Sequence, residues 1–160
     1  MEAVLKKVYA SRRISLSLNI ISHASALISA VAFFALLIYS YLSEPITALK
    51  IGVCALVPYI LVSVMRKIIK APRPYEMYGF YKAPPKSKVG QSFPSRHVFS
   101  ACVIAVLSYT ASVWMSIALL TLGICLAVAR VLLGIHFIRD VVAGALIGIL
   151  SGIFGIIIIL

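Results

Sequence analysis

The sequence predicts an all-α fold, a multi-pass transmembrane helical bundle of about five spanning helices preceded by a basic N-terminal segment. Of its 160 residues, 62% are apolar and only 12% are charged, and the mean hydropathy is +1.10. A soluble domain of this size needs more polar surface than that. Several apolar stretches also reach the ~20 residues that a helix needs to cross a bilayer. We therefore expect one integral-membrane domain over residues 1–160.

The limits of the spans follow from the residues that interrupt the apolar runs. The first run carries no charge and ends at Glu44-Pro45, where the residue before proline disfavours further helix. Because this run continues straight to Leu42, it predicts an uncleaved first span rather than a signal peptide. A segment rich in Pro, Lys and Tyr predicts an interfacial loop over residues 70–93. We predict spans over about residues 14–43, 46–69, 94–111, 113–134 and 137–160.

Small residues in the spans indicate close packing. Gly144, Gly148 and Gly152 recur at every fourth position of the last span, which lets a neighbouring helix approach closely. Three cysteines lie in apolar stretches without any CxxC pair, so neither a zinc site nor a disulfide framework is indicated. We interpret them as packing residues; they are Cys54, Cys102 and Cys125.

The charge balance indicates an anionic partner. The formal net charge is +11, from 15 Lys and Arg against 4 Asp and Glu. Anionic lipid headgroups explain such an excess, and so does an anionic substrate. Nucleic acid is not expected as a partner, because the chain has no soluble domain to present a basic face.

Five spans bring four segments that are distant in sequence to one membrane face, together with the N-terminus. Ionisable groups at membrane depth are costly, which makes those at this face candidates for function. Guanidinium groups bind phosphate oxygens through paired N–H donors, and histidines serve as nucleophiles or proton donors. The candidates are Arg66, Lys67, Arg73, Ser95, Arg96, His97, Arg130, His136 and Asp140.

The spacing of His136 and Asp140 places both on one face of a helix, if both are helical. The carboxylate then holds one imidazole nitrogen and leaves the other exposed. A magnesium site needs more carboxylates than this face offers. Two histidines and one aspartate are able to ligate zinc, but the surrounding cations argue against a further cation. We therefore expect neither a metal nor another cofactor.

Three short motifs resemble those of the type 2 phosphatidic acid phosphatases, membrane relatives of vanadium haloperoxidases and bacterial acid phosphatases. The family patterns are Lys-x6-Arg-Pro, Pro-Ser-Gly-His and Ser-Arg-x5-His-x3-Asp. In this chain they read "RKIIKAPRP" (residues 66–74), "PSRH" (94–97) and "ARVLLGIHFIRD" (129–140). All three occur in order at the ends of expected spans, which makes the resemblance specific.

The resemblance implies metal-independent hydrolysis through a phosphohistidine. His136 would attack phosphorus, Asp140 would orient it, and His97 would protonate the leaving oxygen and then help to activate water. The phosphoryl oxygens would be bound by Arg73, Arg130, Ser95 and the basic residue of the first motif.

The expected substrate is a lipid phosphate monoester or diphosphate, namely phosphatidic acid, phosphatidylglycerol phosphate or a polyprenyl phosphate or pyrophosphate. Two alternatives stay open on the sequence: a non-enzymatic protein that binds or transports lipid phosphates, and a lipid phosphotransferase.

The chain departs from the family motifs at three positions. Arg66 takes the place of the first lysine, and Lys67 follows one residue late; register favours Arg66. Arg96 replaces glycine in the second motif. Its side chain is expected to bind either the phosphate or the surrounding lipid. Ala129 replaces the serine of the third motif, which we expect to matter little.

We expect a multi-pass protein of the cell membrane with the N-terminus and the site on the same face. The positive-inside rule places that face in the cytoplasm, whereas the family usually works on the outer side. The sequence leaves the side open.

Overall fold

A computed structural model describes residues 2–78 and 89–160 of the chain. The described residues form seven α-helices without strands, which confirms the predicted all-α class. The helices are α1 (Glu2–Ala10), α2 (Arg12–Ser43), α3 (Pro45–Ile69), α4 (Pro74–Tyr78), α5 (Arg96–Leu107), α6 (Val113–Leu132) and α7 (Ile138–Ile159). A short 3-10 turn, Ser108–Thr110, follows α5.

Four of these helices, beginning at Arg12, Pro45, Val113 and Ile138, are long and apolar enough to cross a membrane. Many of their large apolar side chains are exposed, as lipid-facing surfaces require. The chain is a multi-pass membrane protein. The third predicted span is the exception, because its helix α5 has only 12 residues before the 3-10 turn.

Helix α5 lies at the centre of the bundle. Eight of its 12 residues are buried, and it contacts α2, α3, α6 and α7. A helix enclosed by other helices does not need to match the bilayer thickness by itself, which accounts for its shortness. The site residues at its N-terminus are therefore held by a packed core on several sides.

The glycines of α7 let it approach α5 closely, as predicted. A Cβ added to Gly144 would lie 2.5 Å from the carbonyl oxygen of Ser95, and one added to Gly148 would lie 2.6 Å from that of Phe99. Only hydrogen atoms fit in such gaps. The approach fixes the start of α5 against the start of α7, where the candidate residues lie.

The N-terminal helix α1 packs on the loop between α6 and α7. Leu5 is 1% exposed and covers Gly134, and the Tyr9 hydroxyl donates a 2.7 Å hydrogen bond to the Leu133 carbonyl. Gly134 has φ +64°, a left-handed conformation that glycine adopts without strain, and it ends α6 two residues before His136. The N-terminus thus lies at the end of the bundle that holds the candidate site, as expected.

The predicted loop over residues 70–93 contains the short helix α4. Three lysines of this loop lie outside the described residues, although their charge suits anionic lipid headgroups; they are Lys82, Lys86 and Lys88. Residues 89–93, the described end of this loop, lie against the end of α3, where the Ser92 N–H donates to the Ala71 carbonyl at 2.9 Å.

Candidate active site

The structure gathers the predicted residues at one end of the bundle, where α3 and α6 end and α5 and α7 begin. Arg66 interacts electrostatically with Arg73, Arg96 and Asp140. His97 interacts in the same way with Arg130 and His136. Four helix ends thus contribute to one cluster of ionisable groups.

His136 and Asp140 form a buried cluster with Ser92, a residue that lies in none of the three motifs. The His136 Nδ1 atom lies 3.3 Å from Ser92 Oγ and 3.6 Å from Asp140 Oδ2. The Ser92 hydroxyl donates to Asp140 Oδ2, which leaves its oxygen to accept from an Nδ1–H group. Nδ1 therefore carries the proton of the neutral ring, and Nε2 keeps the lone pair.

The start of α7 fixes the Asp140 carboxylate. Asp140 is the third residue of the helix, and its Oδ2 accepts from the Phe137 N–H at 2.9 Å, as the acidic member of a capping box does. Its backbone carbonyl accepts from the Ser95 N–H at 2.9 Å. The carboxylate is 0% exposed, and Arg139 Nε lies 3.6 Å from Oδ1. One residue thus links the starts of α5 and α7 and orients the imidazole.

The ring of His136 is held in its neutral form. Burial, together with the positive charges of Arg73 and Arg66, lowers the pKa of His136 to about 4 against the opposing hydrogen bond with Asp140. An imidazole is a nucleophile only when a nitrogen lone pair is available. The environment thus provides a neutral imidazole at physiological pH.

Arg66 is buried and contacts the loop before α5. Its guanidinium donates to the carbonyl of Ser92 at 3.2 Å and to the carbonyls of Gln91 and Pro94. The neighbouring Lys67 is exposed. Arg66 is therefore the basic residue of the first motif that faces the cluster, and it also anchors the segment that carries Ser92.

A carboxylate at the start of α4 holds Arg73. Glu76 accepts from the Arg73 N–H at 3.3 Å and from the Gly90 N–H at 3.2 Å, so it joins the two ends of the loop. The Arg73 guanidinium lies 5.7 Å from the centre of the Tyr75 ring and donates to the Gln91 carbonyl at 3.5 Å. Glu76 lies in none of the three motifs and its partner Gly90 is 14 residues away, so local spacing did not predict its role.

Several polar atoms of the cluster have no hydrogen-bond partner within the described part of the chain. They include the Nε atoms of Arg73 and Arg130 and the hydroxyl of Ser95. Ser95 is 0% exposed and Arg130 is 8% exposed. Buried donors without partners are costly, and they suit a site whose ligand supplies acceptor oxygens.

Arg96 and His97, the last two residues of the second motif, face a cavity of about 180 Å³ between α2, α3 and α5. His97 and Arg96 line it together with Tyr59 and Ser29, and the Arg96 guanidinium lies 5.8 Å from the centre of the Tyr59 ring. An apolar groove of about 540 Å³ adjoins the cavity and shares Tyr59 with it. The groove runs between α2 and α3 with α5 as its floor.

Within residues 2–78 and 89–160, no group of three His, Cys, Asp or Glu side chains is arranged to hold a metal ion. The carboxylate beside His136, that of Asp140, is taken up by His136, Ser92 and the start of α7. The donors that remain are cations, which suit an anion.

The fold and the cluster define a multi-pass membrane protein with a histidine–aspartate pair beside buried cations. The family model of the PAP2 superfamily matches residues 47–159. The chain belongs to the PAP2 superfamily.

Two solved structures share its fold. The PAP2-type phosphatidylglycerolphosphate phosphatase from Bacillus subtilis matches with a TM-score of 0.75 and 19% identity, covering 98% of this chain and 83% of that one. LpxE from Aquifex aeolicus matches with a TM-score of 0.66 and 22% identity, covering 91% and 87%. No curated protein matches the sequence.

Proposed function

We propose that this protein hydrolyses a phosphate group from a membrane lipid, without a metal, through a phosphohistidine on His136. The observation that carries the proposal is the contact of Nδ1 with Ser92 and Asp140, which leaves Nε2 of a neutral imidazole for attack. The family, and the phosphatidylglycerolphosphate phosphatase among the similar structures, support a lipid phosphate as the substrate.

In the first step, Nε2 of His136 forms a bond to phosphorus while the bond from phosphorus to the leaving oxygen breaks. His97 donates a proton to that oxygen. The imidazole becomes cationic because Nδ1 keeps its proton, and Asp140 stabilises the positive charge. The cations Arg73 and Arg130 bind the equatorial oxygens, where negative charge accumulates in the transition state.

In the second step, His97 accepts a proton from water and the water oxygen attacks phosphorus. The bond between nitrogen and phosphorus breaks, inorganic phosphate leaves and His136 returns to its neutral form. Arg66, the Ser95 hydroxyl and the first N–H groups of α5 complete the anion site in this proposal. The hydrocarbon part of the lipid lies in the apolar groove between α2 and α3.

The test is phosphate release from a panel of lipid phosphates in detergent with EDTA present. We expect turnover by the wild type, none by His136→Ala, and wild-type rates for His23→Ala. His23 is the matched control because it is an exposed histidine of α2.

When the phosphate group of the lipid substrate is labelled and the reaction is stopped with alkali, a labelled phosphoenzyme should be trapped in the wild type and not in His136→Ala. Turnover that requires an added divalent metal would overturn the mechanism. Tight binding of lipid phosphates without release would instead support a binding protein.

A further inference from the structure

Arg96 stands out because it replaces a small residue of the motif and lines the cavity between α2, α3 and α5. Its guanidinium lies over the ring of Tyr59, seven residues before Arg66 in α3. Seven residues of helix correspond to about 10 Å towards the middle of the membrane. Arg96 therefore lies between Arg66 of the cluster, with which it interacts electrostatically, and the cavity that adjoins the apolar groove.

The positive charge of Arg96 has no carboxylate partner in the described structure. The ion pairs found there join Lys6 to Glu2, and join His136 and Arg139 to Asp140. A partly buried guanidinium at membrane depth is costly without an anion. The contact with the Tyr59 ring provides a partial compensation, since the face of an aromatic ring attracts a cation.

Arg96 and His97 are neighbours on the first turn of α5 and line the same cavity. In the proposed mechanism His97 protonates the leaving oxygen, so the part of the substrate next to Arg96 is the leaving group. A leaving group that is a neutral alcohol leaves the guanidinium unpaired. A leaving group that carries its own phosphate pairs with it through charge-assisted hydrogen bonds.

We infer that Arg96 selects substrates whose leaving group carries a second phosphate, an inference that rests on the proposed function. Two lipid classes share this chemistry: prenyl diphosphates, and glycerophospholipids in which a phosphodiester separates the terminal phosphate from the diacylglycerol. Phosphatidic acid and prenyl monophosphates lack it. Arg96 acts here as a specificity-determining residue, with Tyr59 holding it in the unliganded state.

The test compares kcat/KM for two matched pairs of lipids in mixed micelles with EDTA. One pair is farnesyl diphosphate and farnesyl monophosphate, and the other is phosphatidylglycerol phosphate and phosphatidic acid with the same acyl chains. We expect the wild type to prefer the lipid with the second phosphate by at least tenfold in one pair, and that pair identifies the class.

The variants Arg96→Gln and Arg96→Lys test the assignment. We expect the preference ratio to fall at least tenfold in the glutamine variant and to be partly kept in the lysine variant. Arg13→Gln is the control, because it removes an exposed arginine near the start of α2, and its ratio should equal that of the wild type. A misfolded variant lowers both rates together, so the ratio separates specificity from structural damage.

A wild type without preference in either pair overturns the inference, as does a ratio in Arg96→Gln within threefold of the wild-type value. Hydrolysis that depends on His136 would still stand in those cases. Release of phosphate from none of the four lipids would overturn the proposed function and this inference with it.

Discussion

Replacing Gly144 with alanine places a methyl group between α7 and α5. The added Cβ would lie 2.5 Å from the Ser95 carbonyl oxygen and 3.4 Å from the Phe99 nitrogen. Both atoms belong to the backbone and cannot rotate away. To restore an ordinary contact of about 3.5 Å, the start of α5 has to move by about 1 Å.

Such overpacking typically costs about 1–3 kcal/mol of stability. The activity should suffer more, because Ser95 and His97 move with the start of α5. A displacement of about 1 Å in a catalytic group lowers the rate by about 100-fold. We therefore expect Gly144→Ala to fold with a lowered melting temperature and to lose about 100-fold in kcat/KM.

Three other helical glycines provide controls for the same substitution. A Cβ on Gly52 would meet no atom within 4 Å, and one on Gly123 would meet only side chains, at 3.6 Å or more. Both variants should keep the wild-type melting temperature, and Gly123→Ala should also keep wild-type activity, whereas Gly52 lines the apolar groove. Gly148→Ala should destabilise as Gly144→Ala does, with a smaller loss of activity, because its contact with Phe99 lies one turn farther from the site.

The measurements are thermal unfolding in detergent and phosphate release from a lipid phosphate. If Gly144→Ala has the same melting temperature as the wild type and keeps its activity within threefold, the close packing of α7 on α5 does not position the site.

Three further results are expected. Ser92→Ala removes a donor to the buried Asp140 carboxylate, which typically costs about 1–3 kcal/mol. It should lower kcat about tenfold or more with little change in KM, and an unchanged kcat would contradict the role of Ser92. Gly134→Ala forces a side chain into a left-handed conformation and a clash 2.8 Å from Leu5. It should lose at least about 1 kcal/mol of stability in chemical unfolding, and an unfolding free energy equal to that of the wild type would contradict this account of the turn.

The third result concerns pH. Burial lowers the pKa of His136 to about 4, whereas an unfolded histidine titrates near ~6.5. Between these two pH values His136 is protonated in the unfolded chain but not in the folded protein. The free energy of unfolding of the wild type should therefore fall by up to about 3 kcal/mol through His136 as the pH drops from 7 to 4. Chemical unfolding at several pH values should show that His136→Gln loses less unfolding free energy over this pH range than the wild type does. An equal loss in both proteins would refute the lowered pKa.

The residues that lie in motifs were predictable from the sequence because their spacing is local. Arg130, His136 and Asp140 are fixed by one stretch of 11 residues, and the helix ends on either side follow from apolar runs. The length of α5 was overestimated, since hydropathy does not distinguish a lipid-facing helix from one enclosed by other helices.

The contacts that the sequence did not reveal all join residues far apart along the chain. Ser92 is 44 residues from His136, and Tyr9 is 124 residues from Leu133. Ser92 lies two residues before the second motif and outside all three motifs, so no pattern marked it. Arg66 was predicted to bind phosphate, which stays a prediction, while its bonds to the Gln91, Ser92 and Pro94 carbonyls depend on how the loop folds back.

The groove between α2 and α3 opens towards lipid rather than water, because its lining is almost wholly apolar and both helices expose apolar side chains. A lipid substrate of this protein thus approaches by diffusion within the bilayer plane. The quantity that saturates the site is then the mole fraction of substrate in the membrane, not its amount per volume of buffer. Diluting the substrate with inert detergent at constant bulk concentration should slow the reaction, and diluting the whole suspension with buffer should not.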